Sequence, residues 1–495
     1  MEHVPATADP WSPVAGAISL SAGGCRGAPS PSHRNKFSAE HRRQSSYSFM
    51  MNKALTQRDG VIPATLREPF AWQFWLAIVL TGIGAGASAA VLTLLLDVVQ
   101  HTVWPAAGNT LLDAASAASP LRHIAILVGA GIVAGVMQIV LVQLSSGNSI
   151  DITTAIWFYA GRLPILRTIG SAVTSIFVVA MGASLGREGA PKQVGAVTAN
   201  LLADRLRLSD EQRRLLVACG AGAGMAAAYG VPLGGALFSL EVLRGMLALR
   251  LVLPALLTSV IATVVAWLAL PDAPTYDLPK FTASAPVYAF AVVIGIVAGV
   301  ASVGFVRAIV FADRNRPTGP WRFATPTIAL GVLGVTSIAF PQILGNGKDI
   351  AQLAFMNQVA TALLLALVAL KPLATIGCLA GGVPGGLFTP SLASGALLGG
   401  VLGQASLLLW PDAQPGLFAL LGASAFLAAT TQGPISAVVL VIELTGHDRS
   451  FIAPLIVCVI VATLVARTLD PRSIYEARLT DQQIGERLKM REGIS

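Results

Sequence analysis

The sequence predicts an all-α polytopic membrane protein whose helices break in pairs. Three observations carry this expectation. Of 495 residues, 54% are hydrophobic and only 12% are charged, about half the roughly 25% charge of soluble domains. Charge-free stretches of at least 17 residues recur eleven times: 71–96, 124–150, 168–186, 215–240, 251–271, 281–306, 323–347, 350–370, 372–411, 413–442 and 450–466. A helix needs about 20 apolar residues to cross the hydrocarbon. Closed β-barrels are the other spanning structure, but they alternate polar and apolar residues, and these runs do not. Finally, Gly- and Pro-containing breaks interrupt the apolar runs at corresponding places in the two halves of the chain.

Residues 1–60 are rich in Ser, Pro, Gly and Arg and lack apolar periodicity, which predicts a disordered cytoplasmic tail. The run from Trp11 to Cys25 is too polar for a signal-peptide core, and no basic segment precedes it. A membrane domain is expected over 61–475, its apolar spans filling Phe70 to about Thr468, with a short cytoplasmic tail at 476–495. The net charge of +8 gathers at the ends, among them Arg42, Arg43, Lys53, Arg58 and Arg67 before the first span and Arg467, Arg472 and Arg478 after the last. Basic flanks favour the cytoplasm, so both termini are expected inside. No basic folded domain supports nucleic-acid binding. Cys25, Cys219, Cys378 and Cys458 show no metal or redox spacing, and the six histidines are scattered. No metal and no cofactor is expected.

The most informative segment is GREGAP, Gly186 to Pro191, whose Arg187 and Glu188 follow a run of 19 uncharged residues, Thr168 to Gly186. A carboxylate at bilayer depth costs roughly 2.5–3.5 kcal/mol on insertion scales, so it generally faces a cavity or a transported species. The segment also belongs to an internal repeat. GREGAPKQVGA (186–196) is followed by GVPLGGALFSLEV (230–242), and GGLFTPSLASGA (385–396) by QGPISAVVLVIEL (432–444). Glu188 and Pro232 are 44 positions apart, and Phe388 and Pro434 are 46 apart. Paired interruptions of this kind point to a transport site at a repeat interface. Helices beginning inside the membrane leave amide N–H groups unpaired and direct a partial positive charge at a common point. Converging ends of this sort hold an anion without a full positive charge, loosely enough for it to leave again.

Four motifs in this order, SSGNS (145–149), GREGAP (186–191), GGLFTP (385–390) and SIYEARL (473–479), resemble the CLC family of chloride channels and proton-coupled chloride antiporters. The resemblance covers Phe70 to about Leu479 and is closest to prokaryotic members without C-terminal cystathionine-synthase-type domains. It implies a CLC-type fold of two inverted-topology repeats, with broken helices meeting at mid-membrane, and a homodimer with one pathway per subunit. By the same resemblance Glu188 is the gate: its carboxylate competes with the anion, and protonation releases it. Ser146 and Tyr475 supply hydroxyls to the anion, with Gly189, Leu387 and Phe388 supplying backbone amides. Gly186, Arg187, Gly386 and Pro390 complete the motifs.

Structural readings compete at each position. Ser146 can simply cap a helix, with Ser145 as the aligned residue instead. Tyr475 can be an interfacial anchor, and Glu188 can cap a helix or pair with Arg187. The SSGNS loop carries Asn148 and Ser149 where the family usually has an apolar residue and proline, which bears on the choice between chloride and nitrate. Lys192 departs from the family pattern and adds positive charge near the gate. Glu241 is read as structural, paired with Arg244, and Glu443 likewise. Val242 stands where many antiporters place a proton-transfer glutamate; valine cannot accept a proton, which leans towards a channel.

The expected function is therefore transport of chloride or a similar monovalent anion, as a channel or as an antiporter that also moves protons. A fluoride or nitrate preference is the alternative. An intramembrane hydrolase built on Ser146, Glu188 and Tyr475 is disfavoured, because no activating base accompanies the serine. The expected setting is multi-pass in a bacterial inner membrane, in contact with lipid.

Overall fold

The computed structural model describes residues 71–104, 110–144, 151–446 and 450–476, and beyond them residues 479, 482, 483 and 485. The SSGNS loop with Ser146, all of residues 1–60 and most of 476–495 lie outside the described residues.

The first half of the chain forms α1 (Ala71–Val103), α2 (Leu111–Ser116), α3 (Pro120–Leu144), α4 (Ile152–Phe158), α5 (Ile165–Ala180), α6 (Gly189–Arg205), α7 (Asp210–Tyr229), α8 (Pro232–Phe238), a π-helical turn (Ser239–Arg244) and α9 (Leu249–Trp267). The second half forms α10 (Ala285–Arg314), α11 (Trp321–Ala339), a 3-10 turn (Pro341–Ile343), α12 (Lys348–Phe355), α13 (Thr361–Ala380), α14 (Phe388–Ser406), α15 (Pro415–Thr431), α16 (Pro434–Leu444) and α17 (Ile452–Leu469). Among the described residues six helices, α1, α3, α10, α11, α13 and α17, are long and apolar enough to span a bilayer.

The eleven uncharged runs do not correspond one to one with helices. The run 215–240 supplies most of α7 and then α8, and 413–442 supplies both α15 and α16. In the first case Gly230 turns left-handed (φ 68°) and Pro232 opens the next helix; in the second Gln432 turns left-handed (φ 57°) before Pro434. Proline suits a first helical position because its missing N–H would be unpaired there anyway. Helix α6 arises outside the runs and contains Lys192 and Asp204. Lys192 is buried where the helix packs on α1, α5 and α7, whereas Asp204, near its far end, is exposed and pairs with Arg213.

The two halves repeat one packing scheme. Helix α1 lies on α9 as α10 lies on α17, and α6 on α7 as α14 on α15. Glycines four residues apart allow the first pair of contacts. A Cβ on Gly82 would stand 3.0 Å from the Thr258 carbonyl oxygen, and one on Gly86 would collide with that of Ala262. A Cβ on Gly295 or Gly299 would stand 2.8 Å from the carbonyl oxygen of Cys458 or Ala462. Small residues at this spacing let membrane helices pack backbone to backbone. At the centre every residue of α15 is buried, as suits a helix apolar on all sides.

The halves also exchange carboxylates. Glu443, near the end of α16, accepts from the backbone N–H groups of Leu233 (3.0 Å) and Gly234 (2.6 Å) at the start of α8. Glu241, in the π-helical turn after α8, accepts from those of Ile435 (3.2 Å) and Ser436 (2.6 Å) at the start of α16, and from the Ser436 hydroxyl (2.6 Å). This corrects the expected pairing of Glu241 with Arg244. Arg244 bonds Glu211 at the start of α7 instead, and Glu241 is held by the unpaired N–H groups of a helix in the other half, which attract a carboxylate strongly.

Candidate functional site

The sequence GREG ends in the first turn of α6, and GGLF in that of α14. Just before these turns, Gly186 and Gly386 exchange two backbone hydrogen bonds, both 2.8 Å, in an isolated antiparallel bridge. The bridge brings the amino ends of α6 and α14 together. A Cβ on either glycine would collide with the Glu188 carboxylate, so only glycine leaves room for that group.

Glu188 is fully buried. Its Oε1 accepts the Phe388 backbone N–H at 2.8 Å. Its Oε2 accepts the Thr389 hydroxyl at 3.2 Å and faces the Tyr229 hydroxyl at 3.4 Å. Tyr229 and Thr389 are themselves joined at 2.7 Å. The carboxylate of one repeat thus caps the amino end of a helix in the other, at the place where helix N–H groups and hydroxyls would receive a small anion. Arg187 forms no ion pair with Glu188 among the described residues; its guanidinium lies 5.1 Å from the centre of the Tyr229 ring.

The expected residues are mostly brought together. Gly186, Glu188, Gly189, Gly386, Leu387 and Phe388 form one cluster, with Gly189 packed so that a Cβ would stand 3.0 Å from the Gly386 nitrogen. Leu387 precedes α14 and Pro390 lies in its first turn. Among the described residues no hydrogen bond joins Tyr475 to Glu188. Tyr475 sits one helical turn further along α6, where its hydroxyl accepts from the Lys192 ammonium at 3.3 Å and its ring meets Phe238 edge to face at 5.7 Å. Ser146 lies outside the described residues. Tyr229 and Thr389 were not singled out from the sequence, although Thr389 stands within GGLFTP and Tyr229 immediately precedes the Gly230 break.

Cavities flank this cluster. One of about 170 Å³ is lined by Arg187, Asp97, Gly347, Lys348 and Asp349. Another, of about 570 Å³, is lined by Gln193, Gly385, Arg167, Arg316, Arg322 and Asp151 among others. Arg187 and Gln193, six positions apart, therefore open on different cavities, and the buried Glu188 lies between them in sequence. Behind the first cavity the buried Lys371 ammonium holds the loop, donating to the carbonyls of Ile343 (2.9 Å) and Gly345 (2.8 Å).

The model of the voltage gated chloride channel family matches residues 129–467, more than half of the chain. The chain belongs to that family. Its relatives include the voltage-gated ClC-type chloride channel ClcB of Escherichia coli, 33% identical over 324 residues that cover 64% of this chain and 76% of that protein. Among solved structures the fold is similar to a slow cyanobacterial Cl–/H+ antiporter (TM-score 0.72, 22% identity, 86% of this chain and 99% of the other). It is also similar to a CLC-type fluoride/proton antiporter (TM-score 0.60, 22% identity, 82% and 97%) and to a eukaryotic CLC transporter (TM-score 0.64, 20% identity, 82% and 74%). The all-helical CLC-type fold is thus established, and the chain is a multi-pass integral membrane protein of a family of channels and transporters rather than enzymes.

Proposed function

We propose that this protein carries chloride or a similar monovalent anion across the membrane through a pathway closed by Glu188. The supporting observation is the seat of the Glu188 carboxylate, which takes the Phe388 N–H and the Thr389 hydroxyl between two glycine backbones. An anion would require the same donors, so the carboxylate and the anion exclude each other. Protonation removes the charge that holds the carboxylate there. Backbone amides of Gly189, Leu387 and Phe388, with the hydroxyls of Tyr475 and Ser146, are the proposed ligands. Gly186, Gly386, Arg187 and Pro390 shape the seat.

The pathway works as a channel or as a proton-coupled antiporter. Val242 favours the channel: it is buried and packs by the Gly433 turn, with no group to take a proton beside Glu241. The membrane domain is assigned to 61–475 with cytoplasmic tails on either side, in a bacterial inner membrane and as a homodimer. Purified protein in liposomes, under a chloride gradient with the voltage clamped by an ionophore, tests the reading. Anion efflux that becomes insensitive to pH in Glu188→Ala is expected, and uphill proton movement in the wild type would assign antiport. Efflux no faster than from empty liposomes, with chloride, fluoride and nitrate alike, would refute the reading.

A further inference from the structure

Among the described residues Lys192 is a buried cation that forms no direct ion pair, with the Glu188 and Asp151 carboxylates acting on it from a distance. It lies in the first turn of α6, where the helix already presents positive charge, and only 6% of it is exposed. Its ammonium donates to the Tyr475 hydroxyl and stands 5.0 Å from the centre of the Tyr475 ring and 5.2 Å from that of Phe238. Among the described residues no carboxylate forms an ion pair with it. Glu188 is engaged by Phe388 and Thr389, and Asp151 caps α4 through the Thr153 N–H at 3.0 Å. Ring faces attract a cation, but a buried charge is stable only when paired or fully hydrogen-bonded. An ammonium has three protons to place, and Tyr475 takes one.

We propose that Lys192 is a specificity-determining ligand of an inner anion position, where one small monovalent anion rests against its ammonium. The proposal rests on the anion-transport reading above. Tyr475 accepts from Lys192 through its oxygen, which leaves its own O–H proton free to point at the same anion. Lysine and tyrosine then form a two-donor clamp, one charged and one neutral. Four residues of helix separate Lys192 from Glu188, about 6 Å along the axis. The inner position therefore lies in line with the Glu188 seat without overlapping it. A site of neutral donors holds an anion loosely; the ammonium, a compact point charge, holds it tightly and favours small anions over large, weakly hydrated ones. Release from this position then limits transport.

The test is chloride binding to the purified protein by calorimetry, comparing wild type with Lys192→Met and Lys192→Arg. Loss of the charge should weaken chloride binding at least tenfold, about 1.4 kcal/mol, while Lys192→Arg stays within about threefold. The thiocyanate-to-chloride affinity ratio should rise in Lys192→Met. Unchanged affinity and ratio in that variant would overturn the proposal while leaving anion transport intact. A wild type that binds no anion and passes none would instead remove the transport reading itself. If Lys192→Met does not purify as a single species, acylation of Lys192 in the wild type is followed by mass spectrometry in chloride and in gluconate. Protection by chloride supports the proposal, and equal rates overturn it.

Discussion

Removing either exchanged carboxylate should destabilise the protein without touching the anion path. Glu443→Ala deprives the Leu233 and Gly234 amides of their acceptor, and Glu241→Ala deprives those of Ile435 and Ser436 and the Ser436 hydroxyl. A hydrogen bond to a charged group contributes about 1.5–3 kcal/mol, and the charge at a helix amino end adds about 0.3–1 kcal/mol. Leu233 and Ile435 are 48% and 49% exposed, so surroundings outside the protein replace part of what is lost at those two amides. The tighter bonds at Gly234 and Ser436 then dominate, and a loss of about 2–4 kcal/mol per substitution is expected. Glutamine, which keeps one acceptor oxygen but no charge, should cost about half as much. Because α8 packs on α16, the double alanine variant should lose less than the sum of the two. Thermal unfolding in detergent measures this, at about 2 °C or less per kcal/mol for a chain of this size. Unchanged unfolding temperatures together with altered proton movement would refute the capping argument and make Glu241 a proton carrier.

Thr389→Val removes one donor to the Glu188 carboxylate, worth about 1.5–3 kcal/mol, and should raise anion efflux at neutral pH about tenfold; a chloride electrode reads it directly. Gly299→Leu should prevent α10 from seating on α17 and lower the yield of folded protein. Gly304→Ala on the same helix, where a Cβ meets nothing within 4 Å, should be silent in the same size-exclusion assay. Asp470 follows α17, and the Arg472 guanidinium, assisted by Arg307, holds its carboxyl down to about 2 from 3.8. A depressed carboxyl stabilises the fold above its unfolded value and loses that contribution as pH falls through the folded one. The stability gap between wild type and Asp470→Asn should therefore be full above about pH 4 and close towards about pH 2, as followed by thermal unfolding. Lys371→Met leaves the Ile343 and Gly345 carbonyls unpaired and should destabilise by about 2–5 kcal/mol, measured in the same way.

The meeting of Glu188 with Phe388 was legible in the sequence because its signals are local. A buried glutamate among glycines and a second glycine break at matching distance identify Glu188 and Phe388 without coordinates. The fold class was legible for a similar reason, since lipid requires long uncharged runs. What escaped depended on contacts between halves. Arg244 stands three residues from Glu241, which suggested a local pair, yet each finds its partner across the fold, in Glu211 and in the start of α16. Tyr229 and Thr389 look like ordinary core residues until the two helices bring their hydroxyls to one carboxylate. Lys192 was visible as charge near the gate, but its place beside Tyr475 follows from residues 283 positions apart in sequence. The uncharged runs do not mark each helix where they continue through a turn, because loss of charge does not show where Gly230 or Gln432 reverses the backbone.

The glycine bridge between the two repeats constrains how such a molecule can move. Membrane carriers commonly work by rocking one half against the other around a fixed centre. Here a rocking stroke would have to snap the Gly186–Gly386 clasp and unseat both swapped carboxylates on every cycle. With the clasp kept closed, the proposed swing of the Glu188 side chain would pass the anion without any domain having to turn.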